Sequence, residues 1–206
     1  MNLSDEYRDI MFIKGFKYDG MVAIETIGDG SCLIHALLNG IHKPYREKMD
    51  GNEPIDRCKY VRNLRFTLSE ILSKPRYHDK EIIWYDTLSN YSLRDMSKSV
   101  PDYSLEEMKR TLESSKYLDL RFHELLSEIF DKDIYFLDLE NQDIYIIDNI
   151  DSYYKQRESV VLGYKKGHFE LIGIRDKGTI YTHFKPNNKF ILTLYSRLKE
   201  LKKSKS

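Results

Sequence analysis

With 206 residues, 41% of them hydrophobic and 13% aromatic, the chain has the length and the apolar material for one domain with a packed core. Lys plus Arg balances Asp plus Glu at 33 each, so there is no general pull toward nucleic acid or an anionic membrane. Two cysteines, Cys32 and Cys58, are too few for a disulfide framework, which leaves a reducing, cytoplasm-like compartment as the expectation.

The N-terminal stretch MNLSDEYRDIMFIKGF mixes acids with short apolar pieces and does not read as a signal peptide. No run of about 18 apolar residues occurs, so no membrane span is expected. Residues 32–39, CLIHALLN, predict an apolar helix that stops at Gly40. A polar loop with Pro44, Gly51 and Pro54 follows. Asp56 is the expected N-cap of a second helix, whose Val61, Leu64, Leu68, Ile71 and Leu72 recur at helical spacing before Pro75. Residues 75–103 are less regular. Ser104 and Glu107 have the spacing of a capping box for a short helix. Another helix is expected from near Asp119, with Phe122, Leu125, Leu126, Ile129 and Phe130 on one face.

From residue 133 the period changes to that of strands. DIYFLDL and DIYIID, separated by ENQD, predict a hairpin, and ESVVLGY, HFELIGI and TIYTHF predict further strands. ILTLYSRLKELKK predicts a terminal helix, with LKKSKS as its frayed basic end. A helical block followed by an antiparallel block is the pattern of an α+β fold, one sheet covered by helices. The expected organisation is a single domain over 1–206, with a core over about 20–185 and a helical extension over 186–206.

The stretch Gly28-Asp29-Gly30-Ser31-Cys32-Leu33 is the most informative. A turn with two glycines delivers a cysteine to the first turn of a helix. The free N–H groups and partial positive charge of that terminus would stabilise a thiolate and lower its pKa. Backbone N–H groups around Asp29, Gly30 and Cys32 could also hold the oxyanion of an acyl intermediate. Cys32 taken alone is better read as a buried small hydrophobe at a helix start, and the glycine turn shifts that balance only with a base in view.

A nucleophilic cysteine needs a base. Of the six histidines, His35 lies on the same helix as Cys32, His42 and His78 fall in loops, and His123 is on a helix. Surface or packing roles are expected for these four. His168 opens a strand after Lys165-Lys166-Gly167, and Glu170 shares its face by strand alternation. A carboxylate there can accept from the imidazole and fix its tautomer. His183 is followed by Phe184 and Lys185 and lacks such a partner.

Gly28-Asp29-Gly30-Ser31-Cys32-Leu33 resembles the cysteine motif of the OTU (ovarian tumour) cysteine proteases, and Gly167-His168-Phe169-Glu170 resembles their histidine signature. The resemblance spans roughly residues 20 to 175. It implies a papain-like OTU fold without a cofactor, Cys32 as nucleophile and His168 as general base. No metal site is expected either, since neither cysteine has a partner at CxxC spacing and the histidines are scattered. Asp29 would contribute its backbone N–H to the oxyanion hole and shape the cysteine loop. Glu170 stands where the family usually has aspartate or asparagine, and would orient His168 or be an ordinary strand carboxylate. Gly167 and Phe169 would border the substrate channel, Phe169 serving equally as core.

The implied substrate is the C-terminal glycine of ubiquitin or polyubiquitin, or of a ubiquitin-like modifier, in (iso)peptide linkage. Residues 75–116 would meet the ubiquitin body, with Trp84 and Tyr85 either exposed there or in the core. The compact length resembles OTU proteins of large DNA viruses, which would act in the host cytoplasm. Two alternatives to a deubiquitinase remain open: a non-catalytic ubiquitin-binding module, and another cysteine amidohydrolase.

Overall fold

The computed structural model describes residues 6–77, 81–89, 92–145 and 154–205. In chain order, β1 (Tyr7–Asp9) and β2 (Met21–Ile24) precede α1 (Cys32–Ile41) and α2 (Lys43–Glu47). A two-residue ladder, β3 (Met49–Asp50) with β4 (Glu53–Pro54), leads to α3 (Arg57–Leu72), α4 (Trp84–Thr87), α5 (Leu93–Ser99), α6 (Leu105–Leu112) and α7 (His123–Phe130). The remaining elements are β5 (Asp133–Asp138), β6 (Asp143–Ile144), β7 (Ser159–Lys165), β8 (His168–Asp176), β9 (Thr179–Tyr181), β10 (His183–Phe184) and α8 (Lys189–Lys205).

The main sheet runs β1-β2-β8-β7-β5-β6, with β9 on β8 and β10 on β7. This is the α+β architecture expected, a sheet flanked by helices, with one difference in its pairing. The β5–β6 hairpin forms as predicted, but β7 runs parallel to β5. The chain reverses at β6 and reverses again before β7, so a parallel pair sits among antiparallel ones. The end of the second hairpin segment, residues 146–148, lies outside the described residues.

Both faces of the sheet are covered, which explains why its strands read as nearly continuous apolar runs. Ile134 and Phe136 of β5, Val160 and Leu162 of β7, and Phe169 and Leu171 of β8 point into the core that contains α1, α3, α6 and α7. The alternate residues Tyr135, Leu137, Val161 and Ile172 join a second core with Phe12, Phe16 and the α8 residues Phe190, Ile191, Leu194 and Leu198. Each fully buried side chain of this size stabilises the fold by about 1.5–3 kcal/mol.

Local signals account for the helix starts. Asp56 caps α3 by accepting from Lys59 N at 3.0 Å. Ser104 caps α6, its hydroxyl accepting from Glu107 N at 3.3 Å. The reciprocal half of that capping box does not form, because the Glu107 carboxylate pairs with Arg110 and Lys116. Gly40 does not end the first helix, which continues to Ile41. A Cβ on Gly40 would lie 3.0 Å from Val160 Cγ1 and 3.1 Å from Leu171 Cδ1. The missing side chain lets α1 lie close against β7 and β8.

Candidate active site

β2 and β8 pair directly, Ala23 opposite Ile172 and Ile24 opposite Leu171. The segment 25–31 that leaves β2 for α1 therefore runs beside the first residues of β8. This brings the two distant sequence motifs together. A Cβ placed on Gly28 would lie 3.8 Å from His168 Cε1 and 3.9 Å from Nδ1, so one edge of the imidazole faces the cysteine loop.

The loop is held from two sides. Asp29 Oδ1 accepts from Ser31 N at 2.9 Å, and both carboxylate oxygens lie 3.1 Å from His35 Nε2. A carboxylate can only accept here, so Nε2 carries the proton, and His35 Nδ1 pairs with the Tyr45 hydroxyl. Burial pushes the Asp29 pKa up, but the His35 contact and the Ser31 N–H outweigh it and the net direction is down. Burial pushes the His35 pKa down, against the upward pull of the Asp29 carboxylate. On the other side Arg65, buried on α3, donates to Ser31 Oγ at 2.8 Å, Leu112 O at 3.0 Å, Thr111 O at 2.5 Å and Lys116 O at 2.9 Å. Gly30 has φ +84°, and its carbonyl accepts from Leu118 N at 3.0 Å. The backbone around Cys32 is thereby fixed before any substrate arrives, as a preformed oxyanion site requires.

Cys32 is only 2% exposed. Burial pushes its thiol pKa up, against the N–H groups of Phe169, Leu33 and Cys32 itself, which pull it down, while the Asp29 charge adds to the rise. The expectation of a lowered pKa at the helix terminus is thus reversed in this resting state, because desolvation outweighs the N–H groups. Tyr117, whose buried hydroxyl has no hydrogen-bond partner among the described residues, stacks on Phe169 with ring centroids 6.0 Å apart.

His168 and Glu170 follow the predicted alternation, but the expected bond between them is absent. Both Glu170 oxygens are taken by Arg8, Nη1 at 2.6 Å and Nη2 at 2.5 Å. A guanidinium fork offers the carboxylate two parallel charged donors, where a neutral imidazole offers one. His168 Nε2 instead lies 3.4 Å from Thr26 Oγ1. Among the described residues, no hydrogen bond joins the His168 ring to Cys32 Sγ or to Glu170.

Gly167 closes the β7–β8 hairpin at φ +78° after Lys166 at φ +49°, the two left-handed residues of a type I′ turn, with open space beside its Cα. Phe169 is fully buried against Tyr117, Phe136 and Tyr164. With Tyr117, Tyr164, Leu93, Met96 and Tyr103 it also lines a cavity of about 700 Å³ next to Cys32's face of the sheet.

The other histidines take packing roles or stay at the surface. His42 stacks on Tyr60, and buried His123 meets Phe136 edge-on. His183 is exposed on β10, and His78 lies outside the described residues. Tyr85 is buried with its hydroxyl donating to Tyr103 O, while Trp84 is half-buried under the Arg76 guanidinium, 4.4 Å from its ring centroid. Both pack on the core rather than standing out as contacts.

Sequence reasoning missed Thr26, Arg8 and Arg65. Arg65 carried a signal, since Val61, Arg65, Leu68 and Leu72 share the buried face of α3 and a charge on that stripe needs buried partners. Among the described residues, no group of three or more His, Cys, Asp or Glu could hold a metal ion, and no helix is long and apolar enough to cross a membrane.

No protein-family profile matches the sequence, and no curated protein matches it. The structure is similar to an ovarian tumour (OTU) domain solved in complex with ubiquitin, at 15% identity and a TM-score of 0.52, over 89% of each chain. An OTU deubiquitinase from Wolbachia pipientis wMel matches at 14% identity and a TM-score of 0.44, over 89% of this chain and 98% of that one. The OTU domain of OTUD1 matches at 13% identity and a TM-score of 0.44, over 74% of this chain and 85% of that one. At these identities the likeness is one of architecture, and the architecture is that of an OTU domain.

Proposed function

We propose that the chain is a cysteine deubiquitinase that hydrolyses the bond after the C-terminal glycine of ubiquitin. The observation that carries this reading is the fixed cysteine loop with the His168 ring edge against Gly28, within an OTU fold. Ubiquitin is the proposed partner because the similar OTU domain was solved in complex with it.

In the proposed reaction the Cys32 thiol gives its proton to His168 and the thiolate attacks the glycine carbonyl. The oxyanion that forms is held by backbone N–H groups of Asp29, Gly30 and Cys32. His168 then protonates the departing lysine amine, leaving a thioester that water cleaves with His168 acting as base. The resting thiol is buried and its pKa raised, so transfer to His168 within the closed site, rather than a standing thiolate, begins the reaction. Gly167 and Phe169 border the path of the diglycine end.

A ubiquitin-binding module without turnover is the second reading, favoured by the buried thiol and by the engagement of Glu170 with Arg8. Hydrolysis of a fluorogenic amide of the ubiquitin C-terminus separates the two. Wild type is expected to turn over, and Cys32→Ala or His168→Ala to lose more than about a thousandfold in rate. Turnover unchanged in Cys32→Ala would remove the proposed nucleophile. Tight binding with no turnover in wild type would favour the second reading.

A further inference from the structure

We infer that Thr26, and not Glu170, positions the His168 imidazole, through the direction of its own hydrogen bond. The Thr26 hydroxyl lies 2.5 Å from the carbonyl oxygen of Phe169 and 3.4 Å from His168 Nε2. A carbonyl oxygen can only accept, so the single hydroxyl proton of Thr26 goes to Phe169. Its oxygen then faces Nε2 with lone pairs alone, and the ring satisfies them only by carrying a proton on Nε2. That leaves the lone pair of the neutral ring on Nδ1.

Nδ1 belongs to the ring edge that faces Gly28 and the loop leading to Cys32. Thr26 therefore selects the tautomer whose basic nitrogen lies on the ring edge facing Gly28 of the cysteine loop. The 3.4 Å separation is long for an N–H···O bond, as such bonds often are in unliganded sites before substrate tightens them.

Glu170 does not compete for this role. It is 8% exposed, and both its oxygens accept from the Arg8 guanidinium, which holds the carboxylate toward β1. Turning it to His168 would leave the guanidinium of β1 without its carboxylate. Thr26 needs no rearrangement. It lies in the segment between β2 and α1, directly beside the start of β8, so the strand pairing that joins the two motifs also delivers the hydroxyl.

The kinetic part of the test rests on the hydrolase reading above, while the spectroscopic part does not. With ¹⁵N-histidine labelling and His168→Gln to assign the ring, the neutral His168 of wild type should carry its proton on Nε2 and exchange it slowly with water. Thr26→Val, which keeps the shape and removes the hydroxyl, should exchange that proton fast, and Thr26→Ser should restore slow exchange. Glu170→Gln should leave it unchanged.

On the ubiquitin amide, Thr26→Val should lose roughly 10- to 100-fold in kcat, the scale at which ring-orienting partners act, with KM near wild type. Thr26→Ser should recover most of that loss. A wild-type proton on Nδ1, or slow exchange that survives in Thr26→Val, would overturn the inference. Loss of slow exchange in Glu170→Gln would return the role to the carboxylate. If wild type proves inactive, the proposed activity fails, and the exchange measurement still decides what holds the ring.

Discussion

Gly30 and Gly167 both hold left-handed backbone, at φ +84° and +78°, yet their surroundings differ. A Cβ on Gly30 would collide with the carbonyl oxygen of Ser115, whereas a Cβ on Gly167 would have nothing within 4 Å among the described residues. Backbone cannot swing aside as a side-chain end can. Gly167→Ala should therefore cost only the left-handed strain, about 1–2 kcal/mol, while Gly30→Ala should cost at least about 1 kcal/mol more through overpacking. Thermal unfolding of the two variants checks this ordering, and equal losses would mean that the Gly30 loop is not pinned. At this scale the candidate site was legible where its chemistry is local. A cysteine after a glycine turn and a histidine opening a strand can be read from neighbours. The partner of Glu170 could not be read, because Arg8 arrives from the far side of β2, and the contact of Thr26 with His168 depends on strand register rather than on spacing.

Elements with caps were read from the sequence because a cap is a bond between residues two or three apart, as at Asp56 and Ser104. Elements without such punctuation were not. Met21–Ile24 is a four-residue apolar run, which periodicity cannot assign to strand or helix, yet as β2 it is the strand that places the cysteine loop beside β8. Gly40 shows that one residue type carries two messages. It reads as a stop, but its missing side chain serves the contact of α1 with Val160 and Leu171. The parallel β5–β7 pair was hidden as well, since strand order is a property of the returning chain and not of either strand. The terminal helix was anticipated, but not that its apolar stripe Phe190, Ile191, Leu194 and Leu198 joins Phe12, Phe16 and Tyr154 in a second core on the sheet.

The molecule as a whole should lose stability in acid through histidines that are buried neutral. Burial between α7 and the sheet pushes His123 down from 6.5 to about 3. His35 moves in the same direction for the same cause. A depressed folded pKa gives stability that is present above the unfolded value and lost as pH falls toward the folded one, here from 6.5 to about 3. Proton uptake by His123 on unfolding steepens the loss by up to about 1.4 kcal/mol per pH unit in that window. Denaturant unfolding of His123→Leu across this range should show a shallower acid slope than wild type. An unchanged slope would mean that His123 takes up no proton on unfolding. The central claim, that the fixed loop presents Cys32 to the end of ubiquitin, is tested most directly with ubiquitin bearing a C-terminal electrophile. Intact mass should show wild type gaining one ubiquitin and Cys32→Ala gaining none. A folded wild-type protein that stays unmodified, or an adduct that persists in Cys32→Ala, would contradict it.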